Sequence, residues 1–226
     1  MQLHAVIVPP PDVVQSALGA AHDLIPSAPP VTEEPKRGRL DRLLGRRQVE
    51  PQGAAPVVSL VPTAPEAVFV RLAKFGNVTG DDVAVLVKAL EAEARSWPAP
   101  VLHVTKVVVA DAHPFEVTAQ LEGDVGALRD IYSHVIEVAR LQRFYLDRRN
   151  FRSQLTSLGS LEGEGGAPVP DSVAGAEVPH PGVRWSPSHI TLLRTSVTSG
   201  GTTYAEVARI ELAHGAAEEL DVRTGA

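Results

Sequence analysis

The stretch VFVRLAKFGNVTGDD at residues 68–82 contains the clearest structural pattern in the chain. Its first half is rich in β-branched and aromatic residues and ends at a Gly-Asn pair, which predicts a strand from Val68 to Phe75. Thr79 followed three residues later by Asp82 is the pattern of a capped helix start. The stretch therefore predicts a strand followed by a helix that continues to about Ser96.

Similar patterns lie on both sides of this stretch. Residues 3–8 predict a short strand, and residues 12–24 predict a helix with one apolar side. Towards the other end, Ser199-Gly200-Gly201 predicts the turn of a β-hairpin. The remaining predictions are strands at 101–110, 115–121, 151–158, 190–197 and 204–212, and a helix that begins after Asp124. This order of elements predicts one α+β domain, residues 1–226, built from two related halves.

Two segments interrupt the pattern. Residues 26–66 hold many prolines and a basic patch around three leucines, which predicts a long surface insertion with one short amphipathic helix. An arm that contacts RNA or a protein partner is the alternative interpretation of this insertion. Residues 159–184 are rich in Gly and Pro and are predicted to be loop.

Composition excludes several classes of function. The chain of 226 residues contains no cysteine, which excludes disulfides, thiol catalysis and cysteine-ligated zinc. A net charge of −6 argues against a generally basic nucleic-acid-binding surface, although a local basic cleft is compatible with it. The scattered histidines lack metal-ligand spacing, so no metal or other cofactor is predicted. No apolar run is long enough to span a membrane, and the start lacks a signal-peptide pattern, so we expect a cytoplasmic protein.

Two His-x-Thr triplets suggest a catalytic site. They are His103-Val104-Thr105 and His189-Ile190-Thr191, each inside a strand-like apolar run. In a strand, residues i and i+2 point to the same face, so each triplet would present an imidazole beside a hydroxyl. Two imidazoles could exchange protons with the nucleophile and the leaving oxygen at a phosphate, while Thr105 and Thr191 hold the phosphate oxygens.

Three stretches of the chain resemble the 2H phosphoesterases, specifically the bacterial RNA 2',3'-cyclic phosphodiesterase or 2'-5' RNA ligase group. They are residues 3–9, residues 72–78, and the segment from Val183 through the predicted hairpin to Tyr204. The resemblance implies a bilobal fold in which two antiparallel-rich sheets form a central cleft and helices cover the outer faces. It also implies metal-independent opening of 2',3'-cyclic phosphates in RNA or nucleotides.

Alignment on these stretches places the two motifs of the family away from the visible triplets. The first motif falls at Phe69 and Arg71, and the second at Gln154 and Thr156. Neither phenylalanine nor glutamine can transfer a proton near neutral pH. In this register the chain has lost the catalytic pair and is a pseudoenzyme that binds an RNA end, a nucleotide or a protein partner in its cleft.

Each of the four motif positions has more than one possible role. Phe69 either fills the space of the missing imidazole or stacks on a base. Arg71 binds a phosphate or a carboxylate, or else it forms an ordinary salt bridge. Gln154 and Thr156 could donate hydrogen bonds to a ligand oxygen.

The literal register, with His103 and His189 as the catalytic pair, stays open. The two triplets are separated by almost the same distance in sequence as Phe69 and Gln154, so spacing cannot choose between the registers. The segment from His189 to Arg194 is a good match to the second motif of the family. However, no helix separates the strand of His103 from the next strand, and few residues follow Arg194. In a third interpretation the two histidines are ordinary strand residues.

Overall fold

The computed structural model describes residues 1–25, 58–146, 150–199 and 201–213. Within these ranges the chain forms nine strands and three α-helices. The strands are β1 (Gln2–Ile7), β2 (Val58–Pro62), β3 (Val70–Asn77), β4 (Leu102–Val109), β5 (Glu116–Gly123), β6 (Gly159–Gly163), β7 (Glu177–Pro179), β8 (His189–Thr198) and β9 (Gly201–Glu211). The helices are α1 (Pro11–Asp23), α2 (Gly80–Ala94) and α3 (Val125–Leu141).

The strands form two antiparallel sheets. The four-stranded sheet has the order β3-β1-β8-β9, and the five-stranded sheet has the order β2-β6-β5-β4-β7. Helix α1 packs on the five-stranded sheet, mainly at β4, whereas α2 and α3 pack on the four-stranded sheet at β9 and β3. The predicted α+β arrangement, with two antiparallel sheets and helices outside them, is confirmed.

Alternation along β1 separates the two faces of the four-stranded sheet. Leu3, Ala5 and Ile7 are fully buried in the main hydrophobic core beneath the helices. Val6 points to the opposite face, as the strand period of two requires. There it belongs to a small separate cluster with Phe69 and Leu193. This second cluster lies on the face of the sheet that carries the candidate site.

Helix α2 begins at the cap that the sequence predicts. The Asp82 backbone N–H donates to the Thr79 hydroxyl at 3.2 Å, and the Thr79 backbone N–H donates to the Asp82 carboxylate at 2.7 Å. The second of these bonds, with help from the Thr79 hydroxyl, lowers the pKa of the Asp82 carboxyl below its ordinary value of 3.8. A carboxyl with a lowered folded-state pKa stabilises the fold above its unfolded pKa, and this contribution disappears as the pH falls through the folded-state pKa.

We therefore expect Asp82→Asn to lower the urea midpoint of unfolding at pH 7. The difference between this variant and the wild type should shrink as the pH falls from 3.8 through the lowered folded-state pKa, because the wild-type carboxyl becomes protonated over that range. Asp81→Asn is the matched control, since Asp81 lies in the same first turn but outside the reciprocal cap. Equal losses for the two variants, or a difference that persists at low pH, would contradict this role of Asp82.

The structure differs from the sequence prediction at residues 58–62, at residues 159–184 and at residues 151–158. Residues 26–57 of the predicted insertion lie outside the described residues, while residues 58–62 of it form β2. The predicted loop at 159–184 contains β6 and β7. The prediction missed these strands because short strands rich in Gly and Pro carry little periodic signal. At Gly159 an added Cβ would lie 2.5 Å from the Val61 carbonyl oxygen, so glycine permits the close pairing of β6 with β2.

The predicted strand at 151–158 is only partly strand-like. It touches the five-stranded sheet through one isolated bridge, between Gln154 and Gln120, and through scattered backbone hydrogen bonds to β5. Leu155 and Leu158 are both fully buried. Apart from the bridge at Gln154, none of residues 151–158 has strand conformation, so the segment is irregular.

Candidate functional site between the two sheets

A cavity of about 800 Å³ lies between the two sheets. Its walls come from β3, β5, α3, the segment that connects α3 to β6, and Tyr204 of β9. The side chains that line it are mostly polar or aromatic, and three of them carry a positive charge. This composition suits an anionic ligand with an aromatic part.

Arg71 points into this cavity from β3. It is half-buried, and its buried Nε has no hydrogen-bond partner among the described residues. No carboxylate of the described chain forms an ion pair with it. The salt-bridge interpretation of Arg71 therefore has no partner in the described part of the structure, where the guanidinium faces the cavity.

Phe69 lies on the same face as Arg71 but does not line the cavity. Its side chain is only 1% exposed and packs against Val6 and Leu193. The ring also meets Tyr204 edge to face, with 5.2 Å between ring centroids and an interplanar angle of 78°. Phe69 therefore fills space at this end of the sheet, and its ring is not exposed to stack on a base.

Thr156 joins the two halves of the site. Its hydroxyl accepts a hydrogen bond from the Phe69 N–H at 3.0 Å and donates one to the Ala67 carbonyl at 2.8 Å. Its backbone N–H donates to the Phe69 carbonyl at 2.8 Å. Thr156 thus lines the cavity, yet its hydroxyl proton is already used within the protein. One position of each aligned motif, residue 69 of the first and residue 156 of the second, are thus directly hydrogen-bonded to each other.

Replacement of Thr156 by valine should lower the free energy of unfolding by about 1–3 kcal/mol, because it leaves the Phe69 N–H and the Ala67 carbonyl without their partner. Thr156→Ser keeps the hydroxyl and is the matched control, with a loss below about 1 kcal/mol expected. Urea unfolding of both variants measures the difference. If valine is tolerated as well as serine, the hydroxyl does not hold the two halves together.

Gln154 lines the same cavity, and so do two cations that the motif analysis does not single out. Lys74 comes from β3 and Arg152 from the segment before β6, while Glu116 is the carboxylate among the described lining residues. Residues 71 and 74 would face opposite ways on a regular strand. A bulge in the pairing of β1 with β3, between the Ala5 and Val6 partners, lets both reach the cavity.

The His-x-Thr triplets lie elsewhere. His189 and Thr191, on β8, line a smaller cavity of about 330 Å³, and the His189 Nδ1 is 2.9 Å from the Ser188 hydroxyl. His103 lies on β4 of the other sheet, and its buried Nδ1 has no hydrogen-bond partner among the described residues. Neither His103 nor Thr105 lines either of these two cavities. Within the described chain, the large cavity contains no histidine in its wall.

No group of three or more histidine, aspartate or glutamate side chains in the described ranges could hold a metal ion. Among the same residues, no helix has both the length and the apolar character needed to cross a membrane.

Comparisons with solved structures identify the fold. The protein TT0787 of Thermus thermophilus is 17% identical, with 94% of this chain and 98% of that chain covered and a TM-score of 0.60. Escherichia coli LigT in complex with 3'-AMP is 14% identical, with 93% and 97% covered and a TM-score of 0.62. A structure described as a phosphoesterase is 16% identical, with 94% and 98% covered and a TM-score of 0.59. No protein-family model matches the chain, and no curated protein matches it in sequence.

The two antiparallel sheets and the cavity between them thus define a phosphoesterase-like fold. More specifically, the chain has the 2H phosphoesterase fold that is seen in LigT, and it shares this fold along nearly its whole length. Other LigT structures with this fold hold ATP, NADP⁺ and phosphate.

Proposed function

We propose that the cavity between the two sheets binds the phosphate group of a nucleotide or of an RNA end, and that it does so without opening a cyclic phosphate. The observation that carries this proposal is the guanidinium of Arg71 in the cavity wall, which forms no ion pair with any described residue. It stands at the first-motif position at which the family resemblance implies threonine.

The energetics of Arg71 favour an anionic ligand. An ionised side chain that is partly removed from water is unfavourable unless it is paired. A phosphate can accept two parallel hydrogen bonds from a guanidinium, and such charge-assisted bonds are stronger than neutral ones. Lys74 and Arg152 would add attraction, and they outnumber Glu116, the carboxylate in the described wall. The local charge thus supports phosphate binding although the whole chain carries a net charge of −6.

The rest of the wall suits a nucleoside. Tyr132 and Phe151 present aromatic side chains beside the cavity, and their rings lie 5.2 Å apart. Aromatic rings next to cations are the usual combination in sites for single nucleotides and single strands. The LigT ligands 3'-AMP, ATP and NADP⁺ all combine a phosphate with a nucleoside, which supports the same class of ligand here.

The absence of turnover rests on proton chemistry. Metal-independent opening of a cyclic phosphate needs one group that accepts a proton and another that donates one. Phe69 and Gln154 have no proton to transfer near neutral pH. The described wall provides Glu116 as a single carboxylate and offers no imidazole as its partner. Such a cavity lacks the pair of imidazoles that the family resemblance implies for this reaction, which supports binding without turnover.

The proposal is tested by calorimetric titration of the full chain with 3'-AMP and, separately, with adenosine. We expect saturable binding of 3'-AMP that is at least about tenfold tighter than that of adenosine, since the phosphate contacts distinguish the two ligands. Equal affinities, or no binding of 3'-AMP, would overturn the proposed phosphate site. Steady hydrolysis of 2',3'-cyclic AMP that is lost in His103→Ala or His189→Ala would favour the active phosphodiesterase instead.

A further inference from the structure

The smaller cavity, next to His189 and Thr191, is not explained by the proposed nucleotide site. It lies on the same sheet face, beyond Val6, which pairs with Arg71 on one side and with Thr191 on the other. Two strand spacings, about 10 Å, therefore separate Arg71 from Thr191. Because buried Val6 stands between them, the two cavities are distinct sites.

Two side chains that line this cavity carry buried hydrogen-bonding groups without a partner in the described part of the chain. They are the indole Nε1 of Trp185 and the hydroxyl of Thr191, whose side chains belong to residues that are 7% and 1% exposed. Neither group has a hydrogen-bond partner among the described residues. A buried polar group without a partner is unfavourable, so a ligand that supplies an acceptor would stabilise both. An indole N–H can only donate, which specifies an acceptor atom on the ligand.

Charged and polar groups at the same cavity specify the ligand further. Thr191 lies directly opposite Arg209 in the β8–β9 pairing, so both side chains face the cavity side of the sheet. Glu206 binds the Nε and Nη2 edge of Arg209, at 2.9 and 3.0 Å, and Nη1 is not part of this contact. His189 engages Ser188 through Nδ1, which leaves Nε2 outside that bond. The cavity thus combines several donors and is lined on one side by prolines between β1 and α1.

We infer that this cavity is a second binding site, which takes the oxyanion group of a small molecule. The donors are the Trp185 indole, the Thr191 hydroxyl, His189 and Arg209. A volume of about 330 Å³ admits a small organic anion and is too small for a long chain. Phosphate and carboxylate groups share the required chemistry. The visible triplet His189-Ile190-Thr191 therefore contributes to binding at a site of its own, and this inference does not depend on the nucleotide site.

The indole N–H resonances in an NMR titration of the full chain test this site directly. The chain contains two tryptophans, Trp97 and Trp185, so two indole signals are expected, and Trp97→Phe assigns them. Inorganic phosphate and sodium acetate are the two probes. We expect a saturable shift of the Trp185 signal with at least one of them, at an unchanged Trp97 signal, and the probe that saturates first identifies the preferred oxyanion.

Three variants separate this site from the cavity between the sheets. Thr191→Val and Arg209→Gln should each weaken the response of the Trp185 signal about fivefold or more. Arg71→Gln should leave it unchanged, because Arg71 belongs to the other cavity. The inference is overturned if neither probe shifts the Trp185 signal saturably, or if the shift persists in Thr191→Val and disappears in Arg71→Gln. If neither indole signal shifts in the wild-type protein, the first outcome is established without any variant.

Discussion

Arg71→Gln is expected to weaken the binding of 3'-AMP by about tenfold to a hundredfold. Removal of a charged hydrogen-bond donor from a phosphate contact costs about 1.5–3 kcal/mol. Glutamine keeps a polar but shorter side chain, so the change removes the positive charge and the two-pronged geometry of the guanidinium. The effect should be large because Arg71 is half-buried and no carboxylate of the described chain competes for it. Calorimetric titration of variant and wild type measures the difference.

Arg194→Gln is the matched control for this prediction. Arg194 lies on β8 of the same sheet, but it is exposed and does not line the cavity. The same change of charge at this position should alter the affinity for 3'-AMP by less than about twofold, mainly through long-range electrostatics that salt screens. If both variants lose affinity equally, binding follows the overall charge and not the cavity, and Arg71 has no specific role.

Phe69→Ala should lower the free energy of unfolding by about 3–5 kcal/mol. This is the usual range for removal of a fully buried aromatic ring, where the lost burial and the remaining cavity both contribute. Phe69 is 1% exposed and holds together the small cluster with Val6, Leu193 and Tyr204. The ring therefore has a structural role on the inner face of the four-stranded sheet, at a position where the family resemblance implies a catalytic histidine. Urea unfolding measures the effect.

Tyr145→Ala provides the comparison for Phe69. Tyr145 is 78% exposed, and loss of an exposed aromatic side chain should change the free energy of unfolding by less than about 0.5 kcal/mol. A loss at position 69 that is no larger than the loss at position 145 would show that the Phe69 ring is not packed as the structure has it.

The fold was predictable wherever the local pattern was strong. The strand before Gly76 and the capped helix after Thr79 follow from turn residues, capping chemistry and apolar spacing, all of which act over a few residues. The irregular conformation of segment 151–158 was not predictable, because it follows from contacts with β5, which is distant from the segment in sequence. Strands β6 and β7 were missed for a similar reason: each is short, and neighbouring strands determine its conformation.

The candidate site was predictable in part. Alignment on short resembling stretches indicated Arg71, Gln154 and Thr156, and the structure places all three on one cavity. Lys74 could not be identified, because only the bulge between β1 and β3 turns it to the same side as Arg71. The hydrogen bonds of the Thr156 hydroxyl could not be predicted from the sequence either, since the tertiary fold brings its partners Ala67 and Phe69 to it.

The central claim is that the cavity between the sheets binds a nucleotide phosphate but does not open a cyclic phosphate. ³¹P NMR of the full chain with 2',3'-cyclic AMP tests the binding and the absence of hydrolysis in one experiment. The claim predicts that the cyclic phosphate resonance shifts or broadens as protein is added, less so with Arg71→Gln, while its total intensity stays constant. Growth of a monophosphate resonance beyond the amount of protein, lost in His103→Ala or His189→Ala, would contradict it. A cyclic phosphate resonance that the protein leaves unchanged would contradict the binding itself.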